Sequence, residues 1–280
     1  MAPATTTAAH LASLHVPGDP LVIPNIWDLS SLNTILSLNA SPRARVKAVA
    51  TASYAIAATL GLADANLSLG ANLIRIRQLA PRVRAAGLPL TVDIQDAYGT
   101  RLGEVVRAVV EAGAVGANVE DLRGDVGADG SSSLLWDVAE QADRLRRVLS
   151  TARECGCEGF VVNARCDVLN PASRAGDDDV ALLNEAVRRG RAYLEAGATT
   201  VFVWGGTRGL RDHEIRALVC EFGGRLAVKL GSGPEALSVS ELARIGVARI
   251  SVGPALYLAG TRAVREGAER IVRGGTLGSG

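Results

Sequence analysis

Short apolar runs that stop abruptly on polar residues recur along the chain, and each is followed by a stretch with helical spacing. Residues 22–26 run into Trp27-Asp28, 48–52 into Ser53-Tyr54-Ala55, 88–92 into Asp93-Ile-Gln95-Asp96, and 116–119 into Glu120-Asp121. Residues 160–163, 200–203, 226–230 and 249–252 complete a set of eight predicted strands. Continuous Val/Ile/Leu/Ala runs, without polar alternation, mark strands covered on both faces, as in a parallel sheet. Between them, Leu73, Ile76, Leu79 and Val83 lie on one helical face, interrupted at Pro81, and Val105, Val106, Val109 and Val110 lie on another. Glu-Ala-Gly-Ala occurs at 111–114 and again at 195–198, each time just before a strand, with a glycine suited to a left-handed helix cap. Eight strand–helix alternations select a (β/α)8 TIM barrel, an α/β fold, over a doubly wound sheet. Pro24 is awkward in a central strand and predicts a rim position or a bulge.

Three segments follow. Residues 1–16 form an N-terminal segment with a short helix over 8–14, residues 17–272 form a single barrel domain that includes a C-terminal amphipathic helix at 255–272, and 273–280 are a disordered tail. A length of 280 residues suits one such barrel, which typically takes about 250. Hydrophobic residues make up 48% and aromatics only 4%, so the core is expected to be aliphatic. The net charge of +1, with no basic patch, excludes nucleic acid as the main partner. No apolar run is long enough to cross a membrane, and the start lacks a signal-peptide pattern, so a cytoplasmic protein is expected. Cys155, Cys157, Cys166 and Cys220 have neither disulfide-framework nor zinc spacing and read as reduced thiols.

Acids at the ends of two neighbouring strands fit a hard divalent cation, which takes oxygen ligands. They also fit caps of the helices that follow. The Gly/Ser/Asp-rich residues 123–135 read either as a lid over the barrel mouth or as a surface insertion. Lys229 sits inside a strand, where it either forms a Schiff base with a carbonyl substrate or binds an anion or pairs with an acid at the strand's mouth.

In order and spacing, several motifs together resemble the phosphoenolpyruvate mutase/isocitrate lyase superfamily. They are Pro24-Asn25-Ile-Trp27-Asp28, Ser53 with Leu60-Gly-Leu-Ala-Asp64, Val92-Asp-Ile-Gln-Asp-Ala-Tyr-Gly99, Asn118-Val-Glu120-Asp121, Asn163-Ala-Arg165-Cys-Asp167 and Ser251-Val-Gly-Pro254-Ala-Leu-Tyr257. The resemblance implies a Mg²⁺- or Mn²⁺-dependent enzyme acting beside the carbonyl of a small 2-oxo carboxylate through an enolate-like species. By the same resemblance Asp93, Glu120 and Arg165 are catalytic, and Asp93, Glu120, Gln95 and Asp96 form the metal set. Ser53, Tyr54, Ala55, Trp27, Asp64, Asn163 and Arg165 would contact substrate. A homodimer or homotetramer that exchanges the last helix is implied as well.

The chain departs from that pattern at three places. Gln95 stands where a second acid is usual, so metal affinity falls unless Asp96 or Asp121 compensates, and Ala97 replaces a common glycine. Residues 123–135 hold neither the Cys and His of the lyases nor the Lys-x-Asn-Ser element of the mutases. The expected reaction is therefore metal-dependent lysis or hydrolysis of a C–C bond in a small 2-oxo (di)carboxylate, of the oxaloacetate decarboxylase type. The alternatives are a phosphonomutase or phosphonopyruvate hydrolase, a Lys229 Schiff-base enzyme, and a non-catalytic barrel.

Overall fold

A computed structural model describes residues 4–41, 45–124, 134–170, 178–206, 209–233 and 235–277. The strands are β1 (Leu21–Ile23), β2 (Asn25–Ile26), β3 (Val49–Thr51), β4 (Leu90–Asp93), β5 (Gly116–Glu120), β6 (Val161–Cys166), β7 (Thr200–Val203), β8 (Leu226–Lys229) and β9 (Arg249–Ser251). The helices are α1 (Ala4–Ser13), α2 (Leu29–Ser37), α3 (Ser53–Thr59), α4 (Leu69–Ala85), α5 (Leu102–Ala112), α6 (Val138–Glu154), α7 (Asp179–Glu195), α8 (Asp212–Glu221), α9 (Val239–Ile245) and α10 (Ala255–Val272). Every ladder is parallel, in the order β1-β9-β8-β7-β6-β5-β4-β3-β2.

The run expected to be one strand is two, divided at Pro24, and the division closes the barrel. β1 pairs with β9 while β2 pairs with β3, and the Pro24 carbonyl accepts a hydrogen bond from Ala50 N at 3.2 Å. Proline has no N–H to give, so it suits the point where the chain leaves one neighbour for the other.

The helices bury the faces their spacing marks. Val105, Val106 and Val109 of α5 are fully buried, and α5 ends at Gly113 with φ 106°, a left-handed cap. Pro81 does not interrupt α4, contrary to the sequence expectation. It lies on the exposed side, where a helix tolerates a missing backbone hydrogen bond more easily, while Leu79, Ala80 and Val83 hold the other face to the core.

The interior is less aliphatic than the composition implies. Thr200 Oγ1 donates to Asn163 Oδ1 (2.7 Å), Asn163 Nδ2 donates to Asn118 Oδ1 (2.8 Å), and Arg249 Nη2 donates to the same Asn118 oxygen (3.3 Å). This polar belt joins β5, β6, β7 and β9. Arg249 is fully buried, and its Nε and Nη1 have no hydrogen-bond partner among the described residues. Burial lowers its pKa to about 10 against the field of Asp93. At the strands' starting ends, Leu11 of α1 packs on β5 and β6, so that a Cβ on Gly116 would lie 3.0 Å from Leu11 Cδ2.

His15, just after α1, has Nδ1 on Leu11 O at 2.8 Å and a sealed Nε2 with no partner among the described residues. Burial, and then the charge of Arg249, push its pKa from 6.5 to about 4. A basic group with a depressed folded pKa contributes stability above its unfolded pKa that is lost as pH falls through the folded one. Between pH 6.5 and 4 the protein is therefore expected to lose roughly 2 kcal/mol more stability than its His15→Asn variant. Urea midpoints of the two at pH 7 and about 4.5 check this.

Of the eighteen residues of α10, one, Gly267, is buried, and Leu258, Val264 and Ile271 are exposed. The four cysteines are free thiols. Among the described residues, no helix is long and apolar enough to cross a membrane.

Candidate active site

β3, β4, β5 and β6 deliver polar side chains to one rim of the barrel. Asp93 ends β4, and its backbone is held on both sides: Asp93 N donates to Thr51 Oγ1 (2.8 Å), and Asn72 Nδ2 donates to Asp93 O (3.0 Å). One carboxylate oxygen accepts from both Ser53 N (3.1 Å) and Ser53 Oγ (2.9 Å). Asp64 lies alongside, its backbone oxygen and Oδ1 accepting from Gln95 Nε2 at 2.9 and 3.3 Å. Burial and the neighbouring charge of Asp93 hold the Asp64 pKa above the usual carboxylate range.

Across the mouth, Glu120 of β5 is in register with Arg165 of β6. Arg165 Nη1 lies 2.7 Å from Glu120 Oε2, and Nη2 lies 2.6 Å from Asp167 Oδ1. The guanidinium stacks on Trp204, 4.6 Å from its ring centre. Burial raises the pKa of Glu120, offset only in part by Arg165 and reinforced by Asp167, Asp93 and Asp64. Burial opposes the charge on Arg165 too, but Asp167 and Glu120 outweigh it and keep the arginine firmly protonated.

Four acids, Asp64, Asp93, Glu120 and Asp167, thus stand around Arg165 in a poorly solvated mouth, with Arg249 buried below and within reach of Asp93's field, and they outnumber these two guanidiniums in a way that favours a further cation. Among the described residues, no three Asp, Glu, His or Cys side chains converge on one point. That donor set fits Mg²⁺ or Mn²⁺ held by one or two carboxylates with water and substrate completing the shell, the habit of Mg²⁺, and does not fit an all-protein cage.

The other expected site residues take various places. Asp96 faces away, its Oδ2 accepting from Gly124 N at 3.2 Å. Asp121 is fully buried beneath the rim, bonded by Asp167 N (2.7 Å), Arg189 Nη1 (3.0 Å) and Tyr193 OH (2.6 Å), so it does not compensate for Gln95. Asn163 is in the interior belt with both ends of its amide bonded. Tyr54 and Ala55 stand in the first turn of α3 and not in a loop. Trp27 packs edge-on against Tyr257, ring centres 5.4 Å apart. The ends of the 123–135 segment are tied by Arg123 N to Leu134 O and by Trp136 N to Asp121 O, both 2.9 Å. Residues 125–133, which bear on the lid reading, lie outside the described residues.

Residues 11–272 match the family described as phosphoenolpyruvate phosphomutase. The chain belongs to the phosphoenolpyruvate mutase/isocitrate lyase superfamily. The structure of a candidate phosphonomutase from Burkholderia cenocepacia superposes with TM-score 0.79 at 32% identity, over 97% of this chain and 100% of that one. The 2-methylisocitrate lyase of Escherichia coli is 30% identical over 203 residues, 68% of this chain and 62% of the relative. An oxaloacetate decarboxylase of a Bradyrhizobium species is 28% identical over 212 residues, 72% and 67% respectively.

In this superfamily member, the segment after Asp93 is bent hard. Gln95, Ala97 and Tyr98 have φ of 53°, 60° and 55°, each a left-handed conformation that costs a non-glycine residue on the order of 1 kcal/mol. The bend turns the Gln95 side chain toward Asp64 and the Asp96 side chain toward Gly124. Asp167 and Trp204 were not among the expected site residues. Asp167 was nevertheless readable as the i+2 neighbour of Arg165 at the end of the same strand, whereas no local signal marks Trp204.

Proposed function

We propose that this protein is a divalent-metal-dependent enzyme that cleaves the C–C bond beside the carbonyl of a small 2-oxo carboxylate, with oxaloacetate as a first substrate to test. The observation that carries the reading is Arg165, a half-buried guanidinium braced by Glu120 and Asp167 at the same mouth as the Ser53-oriented Asp93. Similarity to the E. coli lyase and the Bradyrhizobium decarboxylase supports it. Asp93 would hold the ion directly, with Glu120, Asp64 and the Gln95 amide oxygen reaching it through water. Bound Mg²⁺ or Mn²⁺ would supply positive charge where the enolate oxygen develops. Arg165 binds the substrate carboxylate by exchanging one of its acidic partners for it, and its planar fork suits that anion. Ser53 orients Asp93, Trp204 shields one face of Arg165, and Trp27 and Tyr54 wall the entrance. Pyruvate formation from oxaloacetate above the spontaneous rate, abolished by EDTA, is the expected result. No turnover together with no Mn²⁺ binding overturns the reading.

A second reading, P–C bond chemistry, is favoured by the family description and the Burkholderia relative. Loss of the phosphonopyruvate ³¹P resonance on incubation would select it.

Replacing Gln95 by Asp puts a third acid against Asp64 and Asp93. The metal-free variant is expected to melt below the wild type while binding Mn²⁺ about tenfold more tightly, since ligand charge sets affinity at such sites. Titration calorimetry and a melting curve with and without Mn²⁺ check both arms. We also read the exposed apolar positions of α10 as the contact of a homodimer or homotetramer, measurable by light scattering.

A further inference from the structure

Beside the Arg165 cluster, the carboxyl ends of β7 and β8 and the segments after them enclose a cavity of about 470 Å³ that includes Trp204, Gly205, Arg211, Lys229, Ser232 and Glu235 in its lining. It meets the site just described at Trp204, whose ring carries Arg165 on one face. Its wall near Trp204 is bare backbone: a Cβ on Gly205 would lie 2.3 Å from Gly209 O. Two cations face this space. Arg211 is committed to Asp179 at 2.6 Å. Lys229 has no hydrogen bond or ion pair among the described residues, and its stem rests on Gly253, where a Cβ would lie 3.3 Å from Lys229 Cδ.

Burial, and then the charge of Arg165, lower the Lys229 pKa. Arg165, on the far side of Trp204, is therefore close enough to be felt, while Glu235 lines the same cavity without pairing with Lys229. A half-buried ammonium without a counter-ion is unfavourable unless something else supplies one.

We propose that Lys229 is a specificity-determining residue that binds the distal carboxylate of a substrate whose 2-oxo acid end lies at Arg165 and Asp93. This rests on the proposed function and narrows it: the substrate class is a 2-oxo dicarboxylate, or a larger acid with a second anionic group, and not a simple 2-oxo monocarboxylate. The distal group occupies the β7–β8 side, where the cavity has room beyond the reacting carbons, and Lys229 acts there as an ammonium and not as a nucleophile.

The test is calorimetric, with Mg²⁺ present and three probes: oxalate, 2-oxoglutarate, and 2-oxopentanoate, which has the same chain but a methyl end. Wild type is expected to bind 2-oxoglutarate roughly tenfold more tightly than 2-oxopentanoate, the scale of one charged hydrogen bond. Lys229→Met should erase that preference and leave oxalate affinity unchanged, and Lys229→Arg should keep it. Oxalate binding without any preference in the wild type, or a preference that survives Lys229→Met, overturns the proposal and leaves the functional reading standing. Failure of the wild type to bind oxalate at all removes both. Borohydride trapping of a 2-oxo acid on Lys229 also overturns it, since the nitrogen would then be the nucleophile.

Discussion

Asp93→Asn is expected to lower kcat/KM for carbon–carbon cleavage by ~10³-fold or more, with Mn²⁺ binding lost in parallel. The substitution keeps the size of the side chain and an oxygen able to accept from Ser53, whose N and Oγ both point at the present carboxylate. What it removes is the charge that the Thr51 and Asn72 contacts hold in place at the end of β4. Steady-state kinetics with oxaloacetate, alongside Mn²⁺ titration, separates this from simple misfolding, and far-UV circular dichroism should be unchanged. A variant that keeps full turnover would remove Asp93 from the chemistry.

Gly190→Ala is expected to cost the protein much of its stability through a single added methyl. Gly190 lies in α7 under the ring of Phe222, which closes α8, and a Cβ there would lie 2.2 Å from Phe222 Cζ and 2.5 Å from Cε1. Phe222 is buried and not free to swing away. Overpacking of this kind costs about 2–3 kcal/mol, read as a lower urea midpoint at unchanged slope. Combining it with Phe222→Leu should recover part of the loss, so the pair is expected to be strongly non-additive. Equal stability of Gly190→Ala and wild type would show that α7 and α8 separate more easily than this packing implies.

Much of the barrel was legible because its signals are local. Apolar runs ending in acids marked strands and their carboxyl ends together, and Glu-Ala-Gly-Ala marked the end of α5 to the residue. The period of two also foretells that neighbours point to opposite sides: Glu120 faces the mouth, whereas Asp121 turns to Arg189 and Tyr193 of α7. Proximity across the fold was not legible. Nothing near Asn118, Asn163 or Thr200 in sequence shows that they meet Arg249 inside the barrel, because the partners lie on four different strands. Pro81 misled because its effect depends on which face of α4 meets water. Pro24 showed itself unsuited to a regular central strand, but the split of that strand was hidden because it depends on two neighbours that are distant in the chain.

Arg249 gives the acidity of the mouth a second purpose. The attraction that offsets part of its burial comes from Asp93, so the carboxylate at the rim also eases the charge of the scaffold beneath it. A descendant of this chain that abandoned all chemistry would still be under pressure to keep an acid at position 93, or to give up the arginine below in the same step.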